Sequence, residues 1–335
     1  MKLASLKSGR DGRLVVVSRD LRRATDAGAI ATTLQSALDD WQRTAPKLRE
    51  LAETLRRGNV EDFAFDPAEC AAPLPRAYQW IDGSAYVNHV ELMRRSRGDT
   101  LPESYFTEPL IYQGASDQML GPRAPLACPD EAFGIDIEAE IGVIMDDVPL
   151  GVTAAEAANH IKLYTLLNDI SLRRLIPPEL AKGFGFFQGK PATAFAGVVV
   201  TPDELGGAER AHTIARPLQV DINGQPFGRA RPDLDQVFTF VDLIVHAART
   251  RSLGAGTILG GGTVSNKLDG GPGRTLRDGG AGYSCIAEQR AVERLRTGAA
   301  QTSFLRDGDT IRLEMLHEDG TSIFGSIEQT VQILS

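Results

Sequence analysis

Phe133-Gly134-Ile135-Asp136-Ile137-Glu138-Ala139-Glu140-Ile141-Gly142-Val143-Ile144-Met145 is the stretch around which the chain is organised. Ile135, Ile137, Ala139, Ile141 and Val143 alternate with the residues between them, which is the period of a half-buried strand. Asp136, Glu138 and Glu140 then share the opposite face, each about 6–7 Å from the next by strand geometry. Three carboxylates in a row repel one another. They describe either a solvated strand face or a surface over which a hard divalent cation sits, because Mg²⁺ and Ca²⁺ take carboxylate oxygens. The pattern alone leaves both readings open.

Bulk properties narrow the field. The chain has 335 residues, is 42% hydrophobic and 24% charged, and carries a net charge of −8. Its length suits one large domain plus a small one. The acidic balance argues against nucleic acid or an anionic membrane as the main partner. No apolar run approaches membrane-spanning length, and the N-terminus lacks the apolar core of a signal peptide. Cys70, Cys128 and Cys285 are scattered, form no CxxC pair, and suggest a reduced, cytoplasmic setting.

Outward from the carboxylate stretch, residues 1–30 read as short strands and turns, with Leu14–Val17 in a hairpin. Residues 31–57 read as one or two helices, with Pro46 as the break. Residues 60–79 are rich in Pro and Ala and link a small N-terminal unit, residues 1–75, to a main domain, residues 76–335. Asp82-Gly83-Ser84 is a turn or helix-start signal, after which Tyr86, His89, Val90 and Met93 share one face of a short helix ending in Arg94, Arg95 and Arg97. Residues 154–167 read as a helix running into the apolar segment before Asp169. Lys190 follows three phenylalanines in a Gly-Lys-Pro setting. It is either a surface-loop lysine or a cation placed to stabilise a developing anion. Residues 234–251 read as a helix, and Asn223-Gly224 is a hairpin turn. Gly260-Gly261-Gly262-Thr263 lacks the nucleotide-binding glycine spacings, which excludes a nucleotide site. The loop 267–282 is glycine-rich and expected to be mobile, residues 283–288 read as a strand, and 310–315 with 322–327 read as a hairpin.

These spaced motifs resemble the fumarylacetoacetate hydrolase family from Trp80 to the C-terminus. Glu138-x-Glu140 resembles the family's pair of metal-binding glutamates. Asp169, in Leu-Leu-Asn-Asp-Ile-Ser-x-Arg, resembles the ligand that follows, and Asp82 the remaining one. His89, seven residues after Asp82, resembles the catalytic base. Lys190 resembles the active-site lysine, Glu288 the partner of the histidine, and Tyr112 and Thr263 substrate-binding positions. An arginine from the 94–97 cluster, Arg95, is assigned to the substrate carboxylate. Ser84, Ile176 and Leu180 depart from the pocket residues of the animal enzymes, which leaves substrate identity open.

The resemblance implies a mixed β fold with peripheral helices: a fumarylacetoacetase-like C-terminal β-roll or sandwich domain after a small α+β N-terminal domain. It also implies a homodimer and a bound Mg²⁺ or Ca²⁺, with Mn²⁺ as a further option. The implied reaction is hydrolysis of a carbon–carbon bond in a β-diketo acid, first of all fumarylacetoacetate in tyrosine breakdown. Acylpyruvate or fumarylpyruvate hydrolysis and oxaloacetate decarboxylation are the alternatives within the family, and a metal-stabilised binding protein is the alternative outside it.

Overall fold

In the computed structural model, which describes residues 1–334, the carboxylate stretch is two strands rather than one. Ile135–Asp136 pairs with Ser171–Leu172 in a small ladder, and the chain then steps into Ala139–Met145 of an 11-stranded sheet. The expected half-buried strand is buried on both faces: every residue of Ala139–Met145 is inaccessible. The reason is that both faces of the sheet are covered. On one side Ile141 and Val143 share a core with Val220, Leu313 and Ile327. Those residues come from a second, five-stranded sheet made of Gln225–Ala230, Leu218–Ile222, Thr310–Met315, Ile327–Ile333 and Leu126–Cys128. On the other side Ile144 packs with Leu163, Val199, Trp41 and Leu48.

Within the large sheet, Ala139–Met145 lies between Ile161–Asn168 and Ile258–Gly260, antiparallel to both. Ile258–Gly260 pairs in parallel with Trp80–Gly83, which pairs with Ile111–Gln113. The other edge reaches into the N-terminal segment, where Lys2–Leu6 pairs with Val198–Val200 and forms a hairpin with Arg13–Val17. The N-terminal strands therefore extend the same hydrogen-bonded ladder that carries the acidic residues.

Several local expectations change. The helix expected across residues 154–167 is limited to Ala154–Ala157 and one 3₁₀ turn, after which Ile161–Asn168 is a strand. Ile161, Tyr164 and Thr165 favour the pleated ladder with Ala139–Met145, where their side chains are packed. Residues 31–57 form two helices, Leu34–Leu38 and Trp41–Arg57, but the break falls at Asp39-Asp40. Pro46 lies inside the second helix, whose buried face of Trp41, Ala45, Leu48 and Leu55 compensates for the missing backbone donor. The helix expected over 234–251 is Phe240–Ala247, started by a Thr239/Asp242 capping box. The last strand is Ile327–Ile333 rather than 322–327. The Ser322 and Ile323 carbonyls instead accept the buried Lys2 ammonium at 2.7 and 2.8 Å.

The largest difference is at residues 283–288. Instead of a strand, Ile286–Thr297 is a helix, with Glu288 in its first turn. Its N-terminal cap comes from far away in sequence. The Asp136 carboxylate accepts from the backbone N–H of Ile286 at 2.8 Å and of Ala287 at 2.9 Å. Among the described residues no helix is long and apolar enough to cross a membrane.

Candidate active site

Neighbouring strands bring the acidic residues together. Glu140 lies on the central strand, Asp169 one residue beyond the end of Ile161–Asn168, and Asp82 near the end of Trp80–Gly83. The strand Ile258–Gly260 runs between those of Glu140 and Asp82, so the two backbones are about 9–10 Å apart. Their carboxylates meet because the intervening position is glycine. A Cβ on Gly260 would sit 2.2 Å from Asp82 Oδ1. The Gly-Gly-Gly-Thr run is thus required by close approach of side chains. Gly262 adds its N–H to Asp82 Oδ1 at 3.0 Å and holds a φ of +83°, where a Cβ would lie 2.4 Å from the Gly83 carbonyl.

One carboxylate oxygen from each of Asp82, Glu140 and Asp169 lies within 4.8 Å of the others, and all three residues are buried. Asp169 is fully bonded: Tyr112 Oη donates at 2.7 Å, Lys190 Nζ at 2.6 Å and Thr193 Oγ1 at 3.0 Å. Glu140 is the opposite case, since neither of its oxygens has a hydrogen-bond partner. Burial first, and then Asp82, Asp169 and Glu138, push the Glu140 carboxyl well above the ordinary range. Burial and Asp169 do the same to Asp82. A buried carboxylate with no donor, facing two others, is what a hard divalent cation would complete, and the all-oxygen donor set suits Mg²⁺, Ca²⁺ or Mn²⁺.

The other two members of the original row leave this cluster. Asp136 accepts the helix N–H groups and Arg173 Nε at 2.8 Å. Glu138 accepts Arg173 Nη2 at 2.6 Å and Lys190 Nζ at 2.5 Å. Burial works against its ionisation, but Arg173 and Lys190 win and hold the carboxyl far below the usual range. Glu138, expected as a metal ligand, therefore has both oxygens on cations and borders the three-carboxylate cluster through the shared Lys190. Lys190 is buried, and Asp169 and Glu138 outweigh that burial and keep it charged. Of the three phenylalanines before it only Phe186 reaches it, with its ring 5.9 Å from the ammonium, while Phe184 and Phe187 are exposed and Tyr112 supplies a second ring at 5.3 Å.

His89 projects from the helix Val87–Arg95, and its Nδ1 lies 3.0 Å from Glu288 Oε1. Its Nε2 is 3.8 Å from Glu138 Oε1. Buried Cys285 Sγ lies 4.0 Å from the same Nδ1, and burial followed by Glu288 pushes its thiol well up, which leaves it a poor nucleophile. A cavity of about 900 Å³ opens over His89, Asp82, Glu138, Lys190, Tyr112 and Thr263.

Arg95 is the exception among the expected residues. It lies outside this cavity, exposed and 3.5 Å from Glu91, whereas Arg94 and Arg97 line it. The helical period explains this: Tyr86, Val90, Met93, Arg94 and Arg97 fall on the His89 side, and Arg95 turns away. Arg173 was not assigned a role from sequence, although it stands four residues after Asp169 in the quoted motif. Replacing Asp136 by asparagine should destabilise the protein by about 3–4 kcal/mol in urea unfolding, because Arg173 loses a buried ionic partner and the Glu288 helix loses half its cap.

Comparison with known proteins agrees with this architecture. The model for the fumarylacetoacetate hydrolase C-terminal region matches residues 79–332, and that for fumarylacetoacetase N-terminal domain 2 matches residues 1–76. An uncharacterized Pyrococcus horikoshii protein is 27% identical over 172 residues, covering 50% of this chain and 70% of that one. Two solved structures align over 100% of both chains. Fumarylacetoacetate hydrolase from psychrophilic Exiguobacterium antarcticum has a TM-score of 0.65 at 17% identity. Maleylpyruvate hydrolase from Sphingobium sp. SYK-6, in complex with manganese(II) ion and pyruvate, has a TM-score of 0.64 at 17% identity. These likenesses concern the fold, a mixed β architecture with peripheral helices. With both of its regions matched, the chain belongs to the fumarylacetoacetate hydrolase family, whose members are enzymes.

Proposed function

We propose that this protein is a metal-dependent hydrolase that cleaves the carbon–carbon bond between the carbonyls of a β-diketo acid, with fumarylacetoacetate as the first candidate. The observation that carries the reading is the pairing of a base with a buried acid beside an incomplete carboxylate cluster: His89 on Glu288 at 3.0 Å, over Asp82, Glu140 and Asp169.

Asp82, Glu140 and Asp169 hold the cation, with Glu138 beside them. A bound Mg²⁺, Ca²⁺ or Mn²⁺ supplies Lewis-acid polarisation of the substrate's carbonyl oxygens. Glu288 accepts the Nδ1 proton of His89, which leaves Nε2 free to take a proton from water. The resulting hydroxide adds to one carbonyl carbon. The bond to the adjacent methylene breaks, its electron pair leaves as an enolate, and the imidazolium returns the proton to that carbon. Water is the only co-reactant, and the products are a carboxylic acid and a ketone. Lys190 supplies positive potential to the developing oxyanion and fixes two of the acids. Tyr112 orients Asp169 and faces the cavity, Thr263 lines it, and Arg94 and Arg97 meet the substrate carboxylate in the role first assigned to Arg95. The same reading includes a homodimer, a boundary between residues 1–75 and 76–335, and a place in tyrosine breakdown.

The test is turnover of fumarylacetoacetate, fumarylpyruvate, acetylpyruvate and oxaloacetate, followed by loss of enol absorbance with Mg²⁺ and with a chelator. Chelator-sensitive cleavage of fumarylacetoacetate is expected. Turnover of only the pyruvates or oxaloacetate would move the assignment to those substrates. Metal binding without turnover of any of them would favour the binding-protein reading.

A further inference from the structure

The turn that leads into Glu288 supplies a donor that the reaction does not use. Cys285 is the N-cap of the helix Ile286–Thr297, and Glu288 lies in its first turn. Side chains three apart on a helix share a face. Here both turn toward His89 on the neighbouring helix: Glu288 Oε1 lies 3.0 Å and Cys285 Sγ 4.0 Å from the same Nδ1 atom. One donor atom from each of the three residues lies within 4.8 Å of the other two. Cys285 is a free, fully buried thiol, and among the described residues its sulfur has no hydrogen-bond partner besides that imidazole.

A thiol, an imidazole and a carboxylate suit a different ion from the one that suits Asp82, Glu140 and Asp169. Those three offer only carboxylate oxygens, which favour hard cations. Sulfur and nitrogen favour Zn²⁺. A tetrahedral zinc ion at ordinary bond lengths separates a nitrogen from an oxygen ligand by about 3.4 Å, and a nitrogen from a sulfur ligand by about 3.6 Å. The corresponding separations here, 3.0 and 4.0 Å, are close to both. Two of the donors also stand on a fixed backbone, because Asp136 accepts the N–H groups of Ile286 and Ala287 between them. Charge agrees with a cation. Glu288, Asp136 and Glu138 set a negative potential at the sulfur, and Arg173, whose charge also reaches it, is paired with Asp136 and Glu138. His89 and Ala287 line the large cavity, which gives an ion its way in.

We propose that His89, Cys285 and Glu288 form a second metal site, selective for Zn²⁺ over Mg²⁺ and Ca²⁺, whose occupation switches off the His89–Glu288 pair. The ion takes Nδ1, the sulfur and one Glu288 oxygen, with water at the fourth position. The thiol proton passes to the medium, and the ring proton moves from Nδ1 to Nε2. Nε2 then has no lone pair with which to accept a proton from water, and Glu288 no longer stabilises an imidazolium. Zinc at this site inhibits while the carboxylate cluster keeps its own ion. The metal site stands on geometry alone; only the inhibition rests on the hydrolase reading.

The experiment is titration of the Mg²⁺-saturated protein with Co²⁺, whose absorption spectrum reports tetrahedral thiolate ligation, followed by displacement with Zn²⁺. Wild type should develop a sulfur-to-cobalt charge-transfer band, and Zn²⁺ should bleach it. Cys285→Ser, with Cys285→Ala as the variant that buries no hydroxyl, should lose the band and bind Zn²⁺ about 100-fold or more weakly. A retained Mg²⁺-induced rise in melting temperature certifies the fold of each variant. No thiolate band in wild type, or a band that survives both replacements, overturns the site. Under turnover, zinc should inhibit wild type at concentrations about 100-fold below those that inhibit the Cys285 variants, each measured against its own Mg²⁺-supported rate. Equal inhibition would mean that zinc acts at the carboxylate cluster, and would overturn the switch. A Cys285-dependent band with turnover that zinc leaves unaffected would keep the metal site and overturn the switch by removing His89 as base. The same band with no turnover of any diketo acid would keep the metal site and reject the hydrolase reading, and the switch with it.

Discussion

Glu140→Gln should raise the melting temperature of the metal-free protein while abolishing the stabilisation that Mg²⁺ confers. Both Glu140 oxygens are buried without a donor, and the side chain faces two further acids. Without a cation, ionising it is opposed by burial and by like charge, so its folded-state pKa lies above the unfolded value. The sign of the linkage follows. Stability from this group is fully present below the ordinary glutamate value of about 4.3 and is lost as pH rises from there toward the raised value. Glutamine has the same shape and no charge, so the variant lacks that loss. Near pH 8 the metal-free variant should be more stable by about 2–4 kcal/mol, which is several degrees in melting temperature for a protein of this size. With saturating Mg²⁺ the order should invert, and the variant should bind the ion at least about 100-fold more weakly. Thermal melts of both proteins at pH 5 and pH 8, with EDTA and with Mg²⁺, decide the matter. A metal-free variant that melts below wild type, with equal Mg²⁺ shifts in both, would show that Glu140 is satisfied by something other than a cation.

That orphaned carboxylate was legible only in part from sequence. Alternation made Asp136, Glu138 and Glu140 co-facial on paper, and local pattern could not say that they would separate. Their separation depends on partners remote in sequence: Arg173 and the Ile286 N–H for Asp136, Lys190 for Glu138, and Asp82 across a glycine strand for Glu140. The Glu288 helix was missed for the same reason. Its interior is rich in helix formers, from Ala287 to Arg296. Its start signal is the carboxylate of Asp136, about 150 residues earlier, instead of a residue next to it. The strand Ile161–Asn168 was mistaken for helix because a fully buried strand is apolar on both faces and loses its alternation. By contrast, the Asn223-Gly224 hairpin and the existence of the short His89 helix rest on local chemistry and could be read directly, although that helix starts at Val87 and Asp82 belongs to the preceding strand. The displacement of Arg95 by Arg94 and Arg97 was also readable, had the helical period been carried past Met93.

The second large effect is kinetic and concerns the pair that joins the two helices. His89→Asn should lower kcat by about 10³-fold or more, because asparagine can fill the space but cannot take a proton from water. Glu288→Gln should cost about 10²-fold, since an amide at this position cannot stabilise the imidazolium and can hold the ring in the wrong tautomer. Glu288 is 1% exposed and bonded to His89 at 3.0 Å, so it acts through the ring. If the two work as one unit, their losses cannot add: the double variant should be no slower than His89→Asn alone. Neither change touches the oxygens of Asp82, Glu140 or Asp169, so the Mg²⁺-induced rise in melting temperature should persist in all three proteins. That persistence separates a lost base from a collapsed site. Full additivity would mean that Glu288 serves mainly to hold its helix. Retention of a tenth or more of the turnover by His89→Asn would remove the imidazole from the reaction, and Glu138, 3.8 Å from the His89 Nε2, could not replace it as base because Arg173 and Lys190 hold its carboxyl far below the usual range.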